Sequence, residues 1–109
     1  MSLLPSELRE THIESRLCRE VKTLGGIPYK FTSINRRSVP DRMCVFRHGV
    51  IWFIECKRPG AKLSDNQYRE MKVLKNRGCK VTWVDSYASI HLIIEKIKKQ
   101  LEFLDEIYS

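Results

Sequence analysis

The stretch Val39-Pro40-Asp41-Arg42-Met43-Cys44-Val45-Phe46-Arg47-His48-Gly49-Val50-Ile51-Trp52-Phe53-Ile54-Glu55-Cys56-Lys57 decides how this chain is read. Two apolar runs, about Arg42 to Phe46 and Val50 to Lys57, flank the tight-turn pair His48-Gly49. They read as the antiparallel strands of a hairpin. The second run is the most apolar strand of the chain, which suits the centre of a sheet. Thirteen residues separate Asp41 from Glu55. Pairing through the turn therefore sets Asp41 beside the closing end of the second strand. Glu55 and Lys57 are two apart and project from one face, while Cys56 points to the other and reads as core.

Working outward, Ile13, Leu17, Val21 and Leu24 recur at helical spacing, which predicts a first helix over about Ser6 to Leu24, ended by Gly25-Gly26. A first strand follows at about Ile27 to Thr32, then a polar, basic loop from Ser33 to Ser38 that carries Arg36 and Arg37. Beyond the hairpin, Arg58-Pro59-Gly60 breaks the sheet and Leu63-Ser64-Asp65 introduces a second helix, about Asp65 to Arg77, ended by Gly78. A fourth strand covers Lys80 to Val84. Its helical connection from the third strand implies parallel pairing with a right-handed crossover. The last helix runs from about Tyr87 to Glu106, with Ile90, Ile93, Ile94, Ile97, Leu101 and Leu104 inward. The expected class is α/β, a central mixed four-stranded sheet flanked by helices in the order αβββαβα.

At 109 residues the chain reads as one domain, 1–109, with one core. Apolar content of 42% with 30% charged residues argues against disorder. No apolar run approaches a membrane span and Met1 to Glu10 lacks a signal-peptide core, so an intracellular location is expected. Cys18, Cys44, Cys56 and Cys79 form no C-x-x-C pair and read as reduced, semi-buried thiols. His12, His48 and His91 stand at no ligand spacing. The formal net charge is +7. From Lys30 to Lys80 there are 13 Lys and Arg against 4 Asp and Glu, a net +9; the remainder has 7 against 9, a net −2. The basic charge therefore surrounds Asp41 and Glu55. A solvated basic face is one reading; a phosphate-binding surface around metal-ligating acids is the other, and it fits better.

The residue types carry their own chemistry. Asp41 and Glu55 offer hard carboxylate oxygens suited to Mg²⁺ or Mn²⁺. Lys57 offers an ammonium that can orient or activate a water, or neutralise charge on a phosphate. Asp41 after proline is also an ordinary turn aspartate. Glu55 could serve Lys57 as a surface pair, although such pairs stabilise little. Glu14 lies near the apolar face of the first helix, and Thr11-x-x-Glu14 also matches a capping box. Ser64-x-x-Gln67 is a capping box at the start of the second helix.

The ordered set resembles the PD-(D/E)xK nuclease superfamily and, more closely, the virus-type replication-repair nuclease family, VRR-NUC. The matching pieces are Glu14, Gly25-Gly26, Val39-Pro40-Asp41, Phe53-Ile54-Glu55-Cys56-Lys57 and Leu63-Ser64-Asp65-Asn66-Gln67, spread over almost the whole chain. The resemblance implies a restriction-endonuclease-like core. It implies a site in which Asp41, Glu55 and the Cys56 backbone carbonyl hold Mg²⁺, with Glu14 assisting directly or through water, Lys57 catalytic and Gln67 at the edge. It also implies cleavage leaving a 5′-phosphate and a 3′-hydroxyl.

DNA is the expected partner. Arg36 and Arg37 are the residues expected nearest the scissile bond, and Arg58, Lys62 and Arg69 are candidate phosphate contacts. Lys72, Lys75 and Arg77 extend that basic face, and Tyr68 is a residue for packing or for stacking on a base. A small nuclease core grips little DNA, so a two-fold homodimer acting on a four-way junction is expected, in the manner of small Holliday-junction resolvases. The apolar end of the last helix, with Phe103, Ile107 and Tyr108, is a candidate dimer surface or else core. Alternatives are a flap or nicking endonuclease, a non-catalytic nucleic-acid-binding module, and a basic surface for an acidic protein.

Overall fold

The computed structural model describes residues 3–109. A four-stranded sheet is built from β1 (Ile27–Lys30), β2 (Arg42–Val45), β3 (Ile51–Cys56) and β4 (Lys80–Val84), side by side in that order. The first two pairings are antiparallel and β3 pairs with β4 in parallel, so the sheet is mixed. Three helices flank it: α1 (Glu10–Thr23), α2 (Asp65–Lys75) and α3 (Tyr87–Ile107). The expected α/β order is present. Among the described residues no helix is long and apolar enough to cross a membrane.

The strand period sorts the side chains between two faces. Cys44, Trp52, Ile54, Cys56 and Val84 face one way, into a core completed by Ile13, Leu17 and Val21 of α1 and by Ile90, Ile93, Ile94, Ile97 and Leu101 of α3. Leu104 packs partly against it. Met71 of α2 and Val81 are buried apart from that cluster, on the opposite face. There α2 lies over β4. The register lines up Tyr29, Met43 and Phe53 on this second face, and Ile27, Val45 and Ile51 beside them. Ile27 and Tyr29 remain about half exposed. The molecule is only 19 Å thick along its shortest axis. All four cysteines are free thiols, with Cys44 and Cys56 buried.

Several boundaries differ from the sequence expectation. The first helix does not start at Ser6. Pro5–Glu7 form one 3-10 turn, Leu8 and Arg9 are extended, and α1 begins at Glu10 with the Arg9 N–H donated to His12 Nδ1 at 2.9 Å. β1 stops at Lys30, β2 at Val45, and α2 at Lys75, after which Gly78 takes φ +83°. The hairpin turn is a 3-10 turn over Arg47–Gly49 with His48 in the left-handed region. Asp105 clasps this turn from α3, accepting two hydrogen bonds from Arg47 at 2.7 and 2.6 Å and meeting His48 Nε2 at 2.7 Å.

Gly26 is required by contact. A β-carbon there would stand 2.5 Å from the Phe46 ring and 2.9 Å from Val21, both buried. Gly26→Ala is expected to destabilise the fold by about 1–3 kcal/mol through overpacking, read as a lower urea midpoint with an unchanged m-value.

Candidate active site

The ladder between β2 and β3 ends with Arg42 opposite Ile54. One step further Asp41 lies opposite Glu55, and there the strands part. The Cys56 N–H finds no strand partner on that edge and donates to Asp41 Oδ2 at 2.9 Å. The N–H and C=O of one strand residue point to the same edge, so the Cys56 carbonyl opens on the Asp41 side as well. On the other edge, the Lys57 N–H donates to the Val84 carbonyl at 2.9 Å. The register continues sideways: the Phe31 N–H donates to the Asp41 carbonyl at 2.9 Å, and Glu55 is aligned with Trp83. Phe31, Asp41, Glu55 and Trp83 therefore form one row across the sheet, on the face that carries α2.

Glu55 is 3% exposed. Burial raises its pKa well above the usual carboxylate range, and the hydrogen-bonded, charged Asp41 carboxyl raises it further. Glu10 adds to this, while the Lys57 ammonium acts in the opposite sense. A buried carboxyl beside a half-buried one lacks positive charge, and a shared proton meets that need. A hard divalent cation would meet it as well, because Asp41, Glu55 and the Cys56 carbonyl offer only oxygen. The donor set fits Mg²⁺ or Mn²⁺ in kind. It is a pair of carboxylates, since no group of three or more His, Cys, Asp or Glu gathers among the described residues.

Glu14 is not part of that pair. Its Oε2 accepts from Arg42 Nε at 2.8 Å and Lys30 Nζ at 3.0 Å. It lines an open groove of about 900 Å³ between α1 and β1, together with Cys18, Lys22 and Arg42. Both cations bond the same oxygen, and Glu14 has no direct contact with Asp41 or Glu55 among the hydrogen bonds of the described residues. The Thr11–Glu14 capping box is not formed either, because the helix is capped two residues earlier, at Arg9. Glu10, one turn earlier on α1, adds only the smallest of the influences that raise Glu55. Its signal was the i, i+4 spacing of Glu10 and Glu14, which puts two acids on one helix face.

Lys57 projects on the face of Glu55, and its Nζ donates to Gln67 Oε1 at 3.1 Å. Gln67 Oε1 also accepts from the Ser64 N–H at 2.9 Å, and the Gln67 N–H donates to Ser64 Oγ at 3.1 Å. The expected cap is present, and the same Gln67 oxygen also meets the Lys57 ammonium. Cys56 buries its thiol in the core, and burial pushes that thiol far above its ordinary value.

The basic residues divide. Arg37, Arg58, Lys62 and Arg69 are exposed. Arg36 is committed instead, because its Nε and Nη2 donate to the two oxygens of Glu70 at 2.8 and 2.7 Å. Glu70 is buried, and this pair ties the loop before Asp41 to α2, the helix that carries Gln67. Arg36 is therefore a loop clamp in this structure, not the free DNA contact expected from its position. The paired Arg36 holds the Glu70 carboxyl below its ordinary value. Ser38, two residues on, sits at φ +64°, a conformation that this loop imposes on a non-glycine residue.

A model of the VRR-NUC domain family matches residues 9–88. A relative from Acyrthosiphon pisum secondary endosymbiont phage 1, named "Putative nuclease p44", is 47% identical over 79 residues, covering 72% of this chain and 85% of that protein. A solved structure described as a VRR_NUC domain superposes with a TM-score of 0.75 at 30% identity, covering 79% of this chain and 94% of its own.

Arg36→Ala removes the hydrogen-bonding partner of Glu70 and is expected to lower the urea midpoint at pH 7. The folded-state pKa of Glu70 is depressed, so the pair stabilises above the ordinary glutamate range and its contribution fades as pH falls through the folded value. Urea unfolding at pH 7 and pH 3 is expected to show a wide gap between wild type and variant at the higher pH and a narrow one at the lower.

Proposed function

This chain belongs to the VRR-NUC domain family, and on that premise we propose that it is a metal-dependent, structure-selective DNA endonuclease. Its nuclease character comes with the family. The observation that carries the finer reading is the Asp41–Glu55 carboxyl pair, buried at Glu55 and half-buried at Asp41, opening beside the Cys56 carbonyl and next to Lys57. Asp41, Glu55 and the Cys56 carbonyl would hold Mg²⁺, or Mn²⁺ in its place. The ion supplies Lewis-acid charge to a phosphate oxygen and acidity to a water. Glu10 is near enough to add to the negative field, and Glu14 acts at most through Arg42, which it orients.

The chain's own groups do the rest. Asp41 is fixed by the Cys56 N–H, so its second oxygen is aimed without freedom to swing. Burial of Glu55 excludes water from one side of the pair and strengthens every charge interaction there. Gln67 restrains the Lys57 ammonium, which sits where it can orient the attacking water or offset charge developing on the phosphate. Exposed Arg37, Arg58, Lys62 and Arg69 supply phosphate contacts that position the strand.

The substrate we propose is branched DNA, a four-way junction in particular, cut by a homodimer whose two sites nick paired strands. Two surfaces support dimerisation. One is the uncovered sheet face at Ile27, Tyr29 and Ile51; the other is the end of α3, where Phe103 and Ile107 are exposed and lie outside the core. A flap or nicking activity is the alternative outcome of the same assay.

Labelled duplex, single-strand, flap and four-way junction substrates are incubated with Mg²⁺, Mn²⁺ or EDTA. Wild type is expected to cut the junction in paired positions with either ion and not in EDTA. Asp41→Asn and Lys57→Ala are each expected to lower cleavage at least a hundredfold, in line with the loss of a positioned charge at a reacting centre, while DNA affinity changes less than threefold. A fully active Lys57→Ala enzyme removes the lysine from the reaction, and cuts confined to the flap substrate replace junction resolution with flap cleavage.

A further inference from the structure

We infer that Trp83 is a stacking platform for one unpaired nucleobase beside the carboxylate pair. The inference takes its choice of ligand from the nuclease reading above. Trp83 is the outermost member of the row Phe31, Asp41, Glu55, Trp83, and residues aligned across parallel strands project from the same face. Adjacent strands are about 4.8 Å apart, so the indole rises next to the Glu55 carboxyl. It is 38% exposed although it belongs to a strand.

The other large aromatic rings near the helices have partners. Lys96 lies 5.7 Å over Trp52, Lys72 lies 5.4 Å over Tyr68, and Arg16 lies 4.8 Å over Tyr87. Phe31, at the far end of the row, packs on Phe53 with centroids 5.4 Å apart. The Trp52 indole N–H donates to Gln100 at 3.0 Å. Among the described residues the Trp83 ring has no aromatic or cationic partner, and its indole N–H has no acceptor. It is a partly exposed π-face beside the reacting centre, on the same sheet face as Lys57 of the neighbouring strand end.

A base within a duplex is already stacked on both faces and cannot accept an indole. A base at a junction, a flap or a single-strand end has a free face, and aromatic stacking on such bases tolerates any sequence. A platform here would recognise the displaced base next to the scissile phosphate, so that selection of DNA structure resides partly in this residue and not only in the basic surface.

The chain has two tryptophans, so fluorescence separates them. Wild type, Trp83→Phe and Trp83→Ala are titrated in EDTA with a short oligothymidylate, an abasic strand of equal length, and a blunt duplex. The oligothymidylate is expected to quench wild-type emission, the abasic strand is not, and Trp83→Phe, whose emission comes from Trp52 alone, shows no quench. Trp83→Ala is expected to bind the oligothymidylate about tenfold more weakly, with duplex affinity unchanged and Trp83→Phe in between, which separates stacking from a folding defect. Equal quenching by the abasic strand, an equal quench in Trp83→Phe, or unchanged affinity of Trp83→Ala overturns the inference. Cleavage of labelled four-way junction and flap substrates with Mg²⁺ reads the nuclease assignment separately. Quenching without cutting leaves the base site and removes the nuclease reading; cutting without quenching does the reverse.

Discussion

Asp41 bonds a backbone N–H that β2 has no residue left to reach. At the last rung of the hairpin the strands part, and the Asp41 carboxylate takes the place of the missing carbonyl for Cys56. An unpaired strand N–H at that depth would be costly, so the side chain is held in place by the same requirement that holds the sheet together. Glu55 then has no freedom to avoid it, because the register sets the two residues opposite each other on one face. The acidity of the site, the aim of Lys57 and the row of side chains across the sheet all follow from that single substitution of a carboxylate for a peptide oxygen.

Much of this was legible in the sequence. The hairpin period placed Asp41 beside Glu55 and turned Cys56 inward, because alternation and a turn leave few registers that bury the apolar face. The Ser64–Gln67 cap was readable as a local motif, although its second task, holding Lys57, needed the fold. The start of α1 was not readable. Leu8 and Arg9 lie within an apparently helical pattern, yet they adopt extended backbone, and the cap comes from His12, a residue that carries no strong capping signal. Glu14, one turn further on, meets Arg42 and Lys30. Arg36 and Glu70 are 34 residues apart. Arg36 read as a DNA contact and Glu70 carried no reading, because nothing local distinguishes a charge that meets a phosphate from one that meets a buried carboxylate.

That distinction alters the meaning of the basic segment. Among its cations, Arg36 serves Glu70, Arg42 and Lys30 serve Glu14, and Arg47 serves Asp105. These four hold the loop, the edge strand and the hairpin turn in position. The surface that remains for a polyanion is smaller and more localised than the net charge suggests, and it is concentrated on the segment after β3 and along α2, where Arg58, Lys62 and Arg69 are exposed. Exposed pairs add little stability; the buried Glu70 and the half-buried Glu14 are the ones whose partners matter to the fold.

The mixed sheet also sets an order of assembly. β1, β2 and β3 meet through neighbouring segments of chain, whereas β4 joins β3 in parallel only after α2 has crossed over the sheet. Pairings between distant segments bear more loop-closure entropy and form later than local ones. The two carboxyl groups therefore come together with the hairpin, while the strand that seals the outer edge, and the indole it carries, arrive last. In the finished sheet Glu55 is therefore interior to the strand order, bordered by Asp41 on one side and by β4 with its indole on the other.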